Sequence, residues 1–149
     1  RLMLSLKPLP DYVFDYGTGT GMLAILAEQM GASQIYGNEI QEEAFHNAIQ
    51  NIAHNKCQSI TLSQSDLSQF PPRDKSYGLV LANINRNTII KALPVLRGHL
   101  SPCGYIAVSG FFTHEAGHIE EQFDQYGFAR IQHLEEGHWD AGLFQLGAT

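Results

Sequence analysis

Three glycines behind an aspartate have the spacing of a ligand-binding loop. Asp15, Gly17, Gly19 and Gly21 form the pattern D-x-G-x-G-x-G. Glycine lets a backbone approach a ligand closely and adopt positive φ angles. The carboxylate of Asp15 can order such a loop and favour a nearby positive charge. The residue types therefore predict a site for a small, nucleotide-like ligand.

Two more carboxylates stand where they could contact the same ligand. Glu39 ends the next apolar run, and Asp66 follows a shorter run at 59–63. A carboxylate in the position of Glu39 can accept hydrogen bonds from both hydroxyls of a ribose, and Asp66 can accept one from an adenine amine. The alternatives are loop capping or solvated strand ends for Asp15 and Glu39, and an Asx turn for Asp66.

The elements that would position these residues alternate between strands and helices. Runs typical of helices occupy 22–30, 44–52, 87–99 and the region around 119–126. Such alternation predicts a mainly parallel sheet with helices on both faces, an α/β, Rossmann-like fold. The last two strands are too close in sequence for a crossover helix, so they must form an antiparallel hairpin. Seven strands are predicted, at 12–16, 34–39, 59–63, 77–82, 105–109, 128–134 and 139–146.

The glycine spacing favours S-adenosylmethionine over a dinucleotide as the ligand. In a doubly wound sheet, ligands bind beyond the carboxyl ends of the strands. The dinucleotide pattern G-x-G-x-x-G fails at Met22 when it starts at Gly17, and it ends at Ala24 when it starts at Gly19. S-adenosylmethionine has no pyrophosphate and carries an ammonium and a sulfonium. A loop flanked by Asp15 and Glu39 suits those positive charges.

Composition limits the remaining classes of function. The chain has 149 residues, the usual size of one domain, and a formal charge of −6, which disfavours nucleic acid as a partner. It has no apolar run of the ~20 residues needed to span a bilayer, so we expect a cytoplasmic location and no membrane partner. Cys57 and Cys103 have no C-x-x-C spacing, which predicts free thiols rather than a metal site.

Several further segments of the sequence indicate one particular protein family. Together they resemble the PrmA-type ribosomal protein methyltransferases, within the class I S-adenosylmethionine-dependent methyltransferases. The resemblance covers nearly the whole chain, and the elements ending in Asn83-Ile84 and Ser109-Gly110 are its most specific part. The matching segments are 1–4, 19–25, 36–40, Asn51, 81–84 and 109–111.

The resemblance implies a methyl transfer from S-adenosylmethionine to amino groups, of a lysine side chain or an N-terminus. The S-adenosylhomocysteine product would leave the same site. The implied substrate is the large-subunit ribosomal protein numbered eleven, and Asn83 is the implied catalytic residue that meets the amine. Ile84 and Phe111 are weaker predictions for pocket walls, since core packing suits each of them better. The residues predicted to bind the cofactor are Asp15, Gly17, Thr18, Gly19, Gly21, Glu39, Ile40, Asp66 and Asn83.

The chain departs from the family pattern at three points. Thr18 stands where the family has Cys, and Glu39 where Asp is more common. The chain begins at Arg1 inside an apolar stretch, so we expect that 1–149 is one methyltransferase domain and that an upstream substrate-recognition domain is missing. Two alternatives remain open: a class I methyltransferase with another protein or small-molecule substrate, and a cofactor-binding domain without activity.

Three other features have simpler explanations. His114 to His118 match H-E-x-x-H, a zinc motif when it lies on a helix, but Gly117 weakens that helix and the start of a surface helix is favoured, so we expect no metal. His138, Trp139 and Asp140 resemble hairpin-turn residues, with Trp139 alternatively covering the substrate entrance. A group of acidic residues could face a basic ribosomal protein, although a solvated face is favoured. That group is Glu120, Glu121, Asp124, Glu135 and Glu136.

Overall fold

The computed structural model of the chain describes residues 1–67 and 76–148. A short 3-10 turn, Leu2–Ser5, comes before the first strand. The strands are β1 (Tyr12–Tyr16), β2 (Gln34–Glu39), β3 (Ile60–Gln64), β4 (Tyr77–Asn83), β5 (Leu100–Phe112), β6 (Phe128–Glu136) and β7 (Trp139–Leu146). The helices are α1 (Met22–Gln29), α2 (Glu42–His54), α3 (Arg86–His99) and α4 (Ala116–Gln125). The dipeptide Pro71-Pro72 predicts a loop from the sequence, and it lies outside the described residues.

The seven strands form one sheet in the order β3-β2-β1-β4-β5-β7-β6. Strands β1 to β5 pair in parallel, and β7 pairs antiparallel with both β5 and β6. The predicted Rossmann-like fold with a C-terminal antiparallel hairpin is confirmed. The strand order reverses between β1 and β4, and such a switch point opens a crevice at the carboxyl ends of the two strands.

The helices cover both faces of the sheet and create two apolar cores. Helices α3 and α4 pack on one face, where Leu93 and Phe123 are fully buried together with Phe14 of β1. Helix α1 packs on the opposite face through Ala24 and Ala27, and α2 contacts α1, β2 and β3. Gly31 has φ +103° just beyond α1, where glycine is typical of a helix C-terminus.

The structure differs from prediction in β5 and in the last hairpin. The sequence Ser-Pro-Cys-Gly at 101–104 predicts a turn, but in the structure it lies within β5 as an irregularity, because Leu100 pairs with Tyr77 while Tyr105 pairs with Leu79. Cys103 has φ +60° in this bulge. In the hairpin, β6 continues to Glu136, beyond the predicted end at 134, whereas β7 spans Trp139–Leu146 as the strand prediction had it. The separate interpretation of Trp139 and Asp140 as turn residues was wrong. Long strand pairing with β5 and β6 draws both residues into the ladder.

Across the described ranges, no helix has the length and apolar character needed to cross a membrane.

Candidate active site

The glycine loop lies at the switch point of the sheet, directly beside the end of β4. Gly17, Gly19 and Gly21 all have positive φ, at 66°, 56° and 82°. A Cβ added to Gly17 would lie 3.0 Å from Cγ2 of Ile84, whereas one added to Gly19 would meet nothing within 4 Å. The loop is therefore tightly packed against β4 at its first glycine and open at its second. This leaves space for a ligand against the backbone of Gly19.

Glu39 holds the glycine loop and the segment leading to α2 through both of its carboxylate oxygens. Its Oε2 accepts a hydrogen bond from the backbone N–H of Gly19 at 3.0 Å. Its Oε1 accepts from the N–H groups of Ile40 and Gln41, each at 2.9 Å. The predicted carboxylate thus lies beside the predicted loop, at the end of the adjacent strand. Each oxygen has two lone-pair directions, so acceptor capacity remains for a ligand hydroxyl.

Asp15 lies beneath the loop and not on its surface. It is 2% exposed, and its Oδ2 accepts a hydrogen bond of 2.6 Å from the hydroxyl of Thr18. Burial raises the pKa of this carboxyl from 3.8 to about 6, and the charge of Glu39 adds to the rise. Hydrogen bonds from Thr18 and from the backbone of Ala24 act in the opposite direction. Burial disfavours the ionised form of Asp15, and a positive charge bound above this side chain would favour that form.

Asn38 is a further loop-positioning residue that sequence reasoning did not single out. It is 4% exposed, at the penultimate position of β2. Its Oδ1 accepts from the N–H of Gly17 at 3.1 Å, and its Nδ2 donates to the carbonyl of Ser65 at 3.0 Å. The only signal in the sequence is a polar residue directly before Glu39 at the end of β2. This side chain ties the glycine loop to the segment that follows β3.

Asp66 and Ile40 lie at the outer edge of the same crevice. Ile40 is 64% exposed directly after β2, and Asp66 is exposed after β3. Burial raises the pKa of Tyr16, and the negative charge of Asp66 raises it further, which places Asp66 in the electrostatic surroundings of the end of β1. The structure thus brings the ends of β1, β2 and β3 together. An exposed apolar side chain and a carboxylate there suit a flat heteroaromatic ring with a polar edge.

Asn83 ends β4 opposite Ser109 of β5, with which it is paired in register. The hydroxyl of Ser109 donates a hydrogen bond of 3.0 Å to Oδ1 of Asn83. Gly110 follows at φ +91°, and a Cβ there would lie 3.1 Å from Oδ1 of Asn83 and 3.1 Å from the carbonyl oxygen of Ile84. A segment of β5 that is distant in sequence therefore orients the Asn83 amide through Ser109 and packs against it at Gly110.

A cavity of about 630 Å³ opens beside this pair. Asn83 is the one predicted cofactor-binding residue that lines it, because the glycine loop and Glu39 lie in the adjoining crevice. Ile84 lines the cavity and also packs against the core of the α3–α4 face. Phe111 is 3% exposed within that core, the role that the sequence favoured for both residues. The other walls come from the N-terminal turn, α1 and strands β4 to β7, including Arg1, Met3, Leu23, Leu81, Ala107, Leu134, Glu136 and Trp139.

Aromatic side chains stand at one end of the cavity. Trp139 is 53% exposed and stacks on Phe112, with ring centroids 4.6 Å apart. The ring of His114 stacks on the same Phe112 at 5.6 Å. The sequence suggested Trp139 as an alternative cover for the substrate entrance, but it gave no sign of Phe112 or His114. Their exposure together offers an apolar surface next to the cavity wall.

The H-E-x-x-H segment does not lie on one α-helix. His114 and Glu115 belong to a 3-10 turn, Thr113–Glu115, whereas His118 belongs to α4. Both oxygens of Glu115 have partners: Oε2 accepts from the N–H of Phe112 at 2.8 Å, and Oε1 pairs with Arg86 at 3.3 Å. This arrangement gives Glu115 the role of fixing the turn after β5.

The acidic residues do not form one free surface in the structure. Glu120 pairs with Arg130 at 2.9 Å, and Glu136 pairs with Arg1 at 3.3 Å. Glu121 and Asp124 are exposed on α4, while Glu135 and Glu136 are exposed at the end of β6. The charges are thus divided between a helix and the tip of the last hairpin.

The sheet order, the glycine loop at the switch point and the carboxylate that ends β2 define the class I S-adenosylmethionine-dependent methyltransferase fold. A crystal structure of a SAM-dependent methyltransferase from Aquifex aeolicus shares this fold, with a TM-score of 0.77 and 17% identity over 91% of this chain and 81% of that one. The family described as Ribosomal protein L11 methyltransferase (PrmA) matches residues 5–145. The chain belongs to this family, and the resemblance inferred from its sequence is confirmed.

Individual relatives agree with this assignment. Ribosomal protein L11 methyltransferase of Lactobacillus johnsonii is 35% identical over 130 residues, which are 87% of this chain and 41% of that protein. The crystal structure of ribosomal protein L11 methylase from Lactobacillus delbrueckii subsp. bulgaricus has a TM-score of 0.84 and 28% identity, over 91% of this chain and 70% of that one. The chain spans between 41% and 48% of the length of the curated relatives it matches.

Proposed function

We propose that this chain binds S-adenosylmethionine and is the methyl-transferring part of a protein methyltransferase. The observation that carries the proposal is the convergence of the glycine loop, Glu39 and Asn83 at the switch point of the sheet. The residues fit the cofactor's chemistry, because Gly19 leaves open space beside its backbone and buried Asp15 has a raised pKa that a cation would relieve. Glu39 and Ile40 would hold the ribose and adenine side of the ligand.

The cofactor supplies a methyl group on a positively charged sulfur, which is already an activated leaving group. The protein's task is then to present a neutral amine in line with that methyl group and to exclude water. The side-chain amine of an ordinary lysine has a pKa of about 10.4. An apolar wall such as Ile84 disfavours the charged form of this amine. The amide oxygen of Asn83 would accept a hydrogen bond from the amine and orient its lone pair. The amine nitrogen is positively charged once it is methylated, and the proton that it then loses passes to solvent.

We propose ribosomal protein L11 as the substrate, with amino groups as the target. The support is the family to which the chain belongs and the names of its relatives. The cavity beside Asn83 and its aromatic rim are open enough to admit a long side chain. Because this chain spans less than half of its curated relatives, we further propose that residues outside it, in an upstream domain, contribute to substrate recognition.

Cofactor binding is tested first, by titrating the chain with S-adenosylhomocysteine in a calorimeter. We expect one site per chain, with affinity strongly reduced by Glu39→Ala. Glu43→Ala is the matched control, since Glu43 is an exposed glutamate in the first turn of α2. Absence of heat for the wild-type chain at millimolar ligand would refute the proposed cofactor.

Methyl transfer is tested separately with radiolabelled cofactor and purified ribosomal protein L11. Label on L11 from this chain supports the full proposal, and label only from a longer protein containing the chain supports the need for an upstream domain. Binding without transfer by either form would identify a cofactor-binding domain without activity. Transfer to other proteins or small amines, but not to L11, would identify a different substrate.

A further inference from the structure

We propose that the last hairpin holds a divalent transition-metal ion between His133, Glu135 and Asp140. These three residues each offer one ligand atom, a ring nitrogen or a carboxylate oxygen, and the three atoms lie within 4.8 Å of one another. The sequence alone led to no expectation of metal at these positions, because the ligands are divided between β6 and β7 and match no known spacing. The site is distinct from the H-E-x-x-H segment and from the glycine loop.

Strand register explains how the three side chains meet. His133 and Glu135 are two residues apart on β6, so they project from the same face of the sheet. Glu135 pairs directly with Asp140 on β7, and directly paired residues share a face. The register shift between Arg130 and Gln132 sets this alignment, since it changes which residues of β6 share a face beyond the bulge.

A second observation points to a missing ligand at Asp140. This residue is 4% exposed, and its Oδ1 is buried with no hydrogen-bond partner. Burying a carboxylate oxygen without a partner is costly, and buried charges are ordinarily paired or bound to a metal. Asp140 occupies the strand between β5 and β6, where neighbouring strands shield it from water. A cation among the three side chains would supply the partner that Oδ1 lacks.

The ligand types indicate which ions fit. One imidazole nitrogen with two carboxylate oxygens suits zinc and related first-row divalent ions, which are typically held at about 2.0–2.2 Å from such atoms. Two ligand atoms bound to one ion at such lengths lie at most about 4.4 Å apart, which is close to the 4.8 Å within which these atoms already lie. His133 and Glu135 are exposed and free to move inward, whereas Asp140 is fixed by the sheet. Three protein ligands leave one position open to water.

The proposed metal site also forms part of the cavity wall. Glu135 and Asp140 both line the cavity, and Trp139, at its aromatic end, precedes Asp140 directly. A bound ion would cross-link β6 to β7 at the end of the hairpin that carries Trp139. The expected effect is to hold this part of the cavity wall in one position. The inference does not depend on the proposed methyl transfer.

The test is zinc titration of untagged, demetallated protein, followed by calorimetry and elemental analysis after gel filtration. The free thiols of Cys57 and Cys103 are first replaced by serine so that they cannot bind zinc. We expect one zinc ion per chain. Asp140→Asn preserves the shape of the side chain and should weaken binding at least about a hundredfold, since even outer-shell partners cost 10–100-fold. Zinc should also shift the NMR signals of the His133 ring.

His133→Gln provides a second variant at an exposed position, in case Asp140→Asn fails to fold. It should weaken binding as well. The matched control replaces both His114 and His118 by Gln, and it should bind zinc as the parent does. The proposal is overturned if the parent binds no zinc at millimolar concentration, if both ligand variants bind as tightly as the parent, or if the control abolishes binding.

Discussion

The backbone N–H of Gly19 donates a hydrogen bond of 3.0 Å to Oε2 of Glu39, across 20 residues of sequence. The other oxygen of the same carboxylate accepts from the N–H groups of Ile40 and Gln41. One side chain therefore fixes the middle of the glycine loop relative to the segment that begins α2. The proposed ligand contact and the shape of the loop depend on the same group.

Replacing Glu39 by alanine should damage both functions of this carboxylate. Three backbone donors lose their acceptor, and hydrogen bonds to charged groups contribute about 1.5–3 kcal/mol each. We expect affinity for S-adenosylhomocysteine to fall at least about tenfold, a loss of roughly 1.4 kcal/mol or more. Glu39→Asp should retain part of the affinity. Calorimetry on both variants measures the effect, and an unchanged affinity in Glu39→Ala would exclude Glu39 from the site.

Because the pKa of Asp15 is raised, the difference in stability between the wild-type chain and the Asp15→Asn variant should depend on pH. Its pKa in the folded chain is about 6, above the ordinary value of 3.8, so folding favours the protonated form. The corresponding stabilisation is fully present below about pH 4 and is lost as pH rises through about 6. From pH 4 to 7.5 the wild type should therefore lose up to about 3 kcal/mol relative to Asp15→Asn.

Urea denaturation of both proteins across this pH range measures the difference. Asp11→Asn is the control, because Asp11 is exposed just before β1. A wild-type-to-Asp15→Asn difference that stays constant with pH would show that Asp15 has an ordinary pKa in the folded chain.

The hydrogen bond between Ser109 and Asn83 predicts that the two residues act together in methyl transfer. Asn83→Ala should lower kcat by about 10²–10³, as does loss of a single positioned hydrogen-bonding group in other enzymes. Ser109→Ala leaves the amide in place but less well oriented, so we expect about a tenfold loss. The double variant should be no slower than Asn83→Ala alone, since Ser109 acts through Asn83. Additive losses in labelled-methyl assays would contradict this dependence.

Gly110→Ala should destabilise the chain at the same junction. A Cβ at this position, with φ +91°, would lie 3.1 Å from both Oδ1 of Asn83 and the carbonyl oxygen of Ile84. Positive φ costs a non-glycine residue roughly 1–2 kcal/mol before any displacement of neighbours. We expect a clear fall in melting temperature and in methyl transfer.

Gly98→Ala is the matched control for this substitution. Gly98 lies in α3, and a Cβ there would meet nothing within 4 Å. Alanine should stabilise that helix by roughly 0.5–1 kcal/mol relative to glycine. Thermal unfolding that shows equal effects at the two positions would mean that the junction at Gly110 is not tightly packed.

Local features of the sequence were enough to predict most of the fold. The apolar runs of β1 and β2, with the glycines between them, predicted both strands at the bounds observed. The short connection between β6 and β7 predicted an antiparallel hairpin, which the sheet contains. These predictions succeed because hydrophobic periodicity and glycine conformation act over a few neighbouring residues.

Predictions from the sequence were less accurate where strand register or side-chain burial determined the structure. The bulge at 101–104 depends on how Leu100 and Tyr105 align with β4, and no local signal fixes that alignment. Core packing was the favoured prediction for both Phe111 and Ile84, and it holds for Phe111, whereas Ile84 also lines the cavity. A strand residue changes face with a shift of one position, so its side chain cannot be assigned to core or cavity until the partner strand is known.

The sequence by itself determined the family, the order of strands and helices, and the loop residues from Asp15 to Gly21 with Glu39 beyond them. Only the tertiary structure placed Asn38 between the loop and Ser65, buried Asp15 enough to raise its pKa, and brought His133 and Asp140 together. The physical reason is that hydrogen bonds, desolvation and ion coordination act between atoms that are close in space. Pairing across the sheet creates that closeness between residues that the chain keeps far apart.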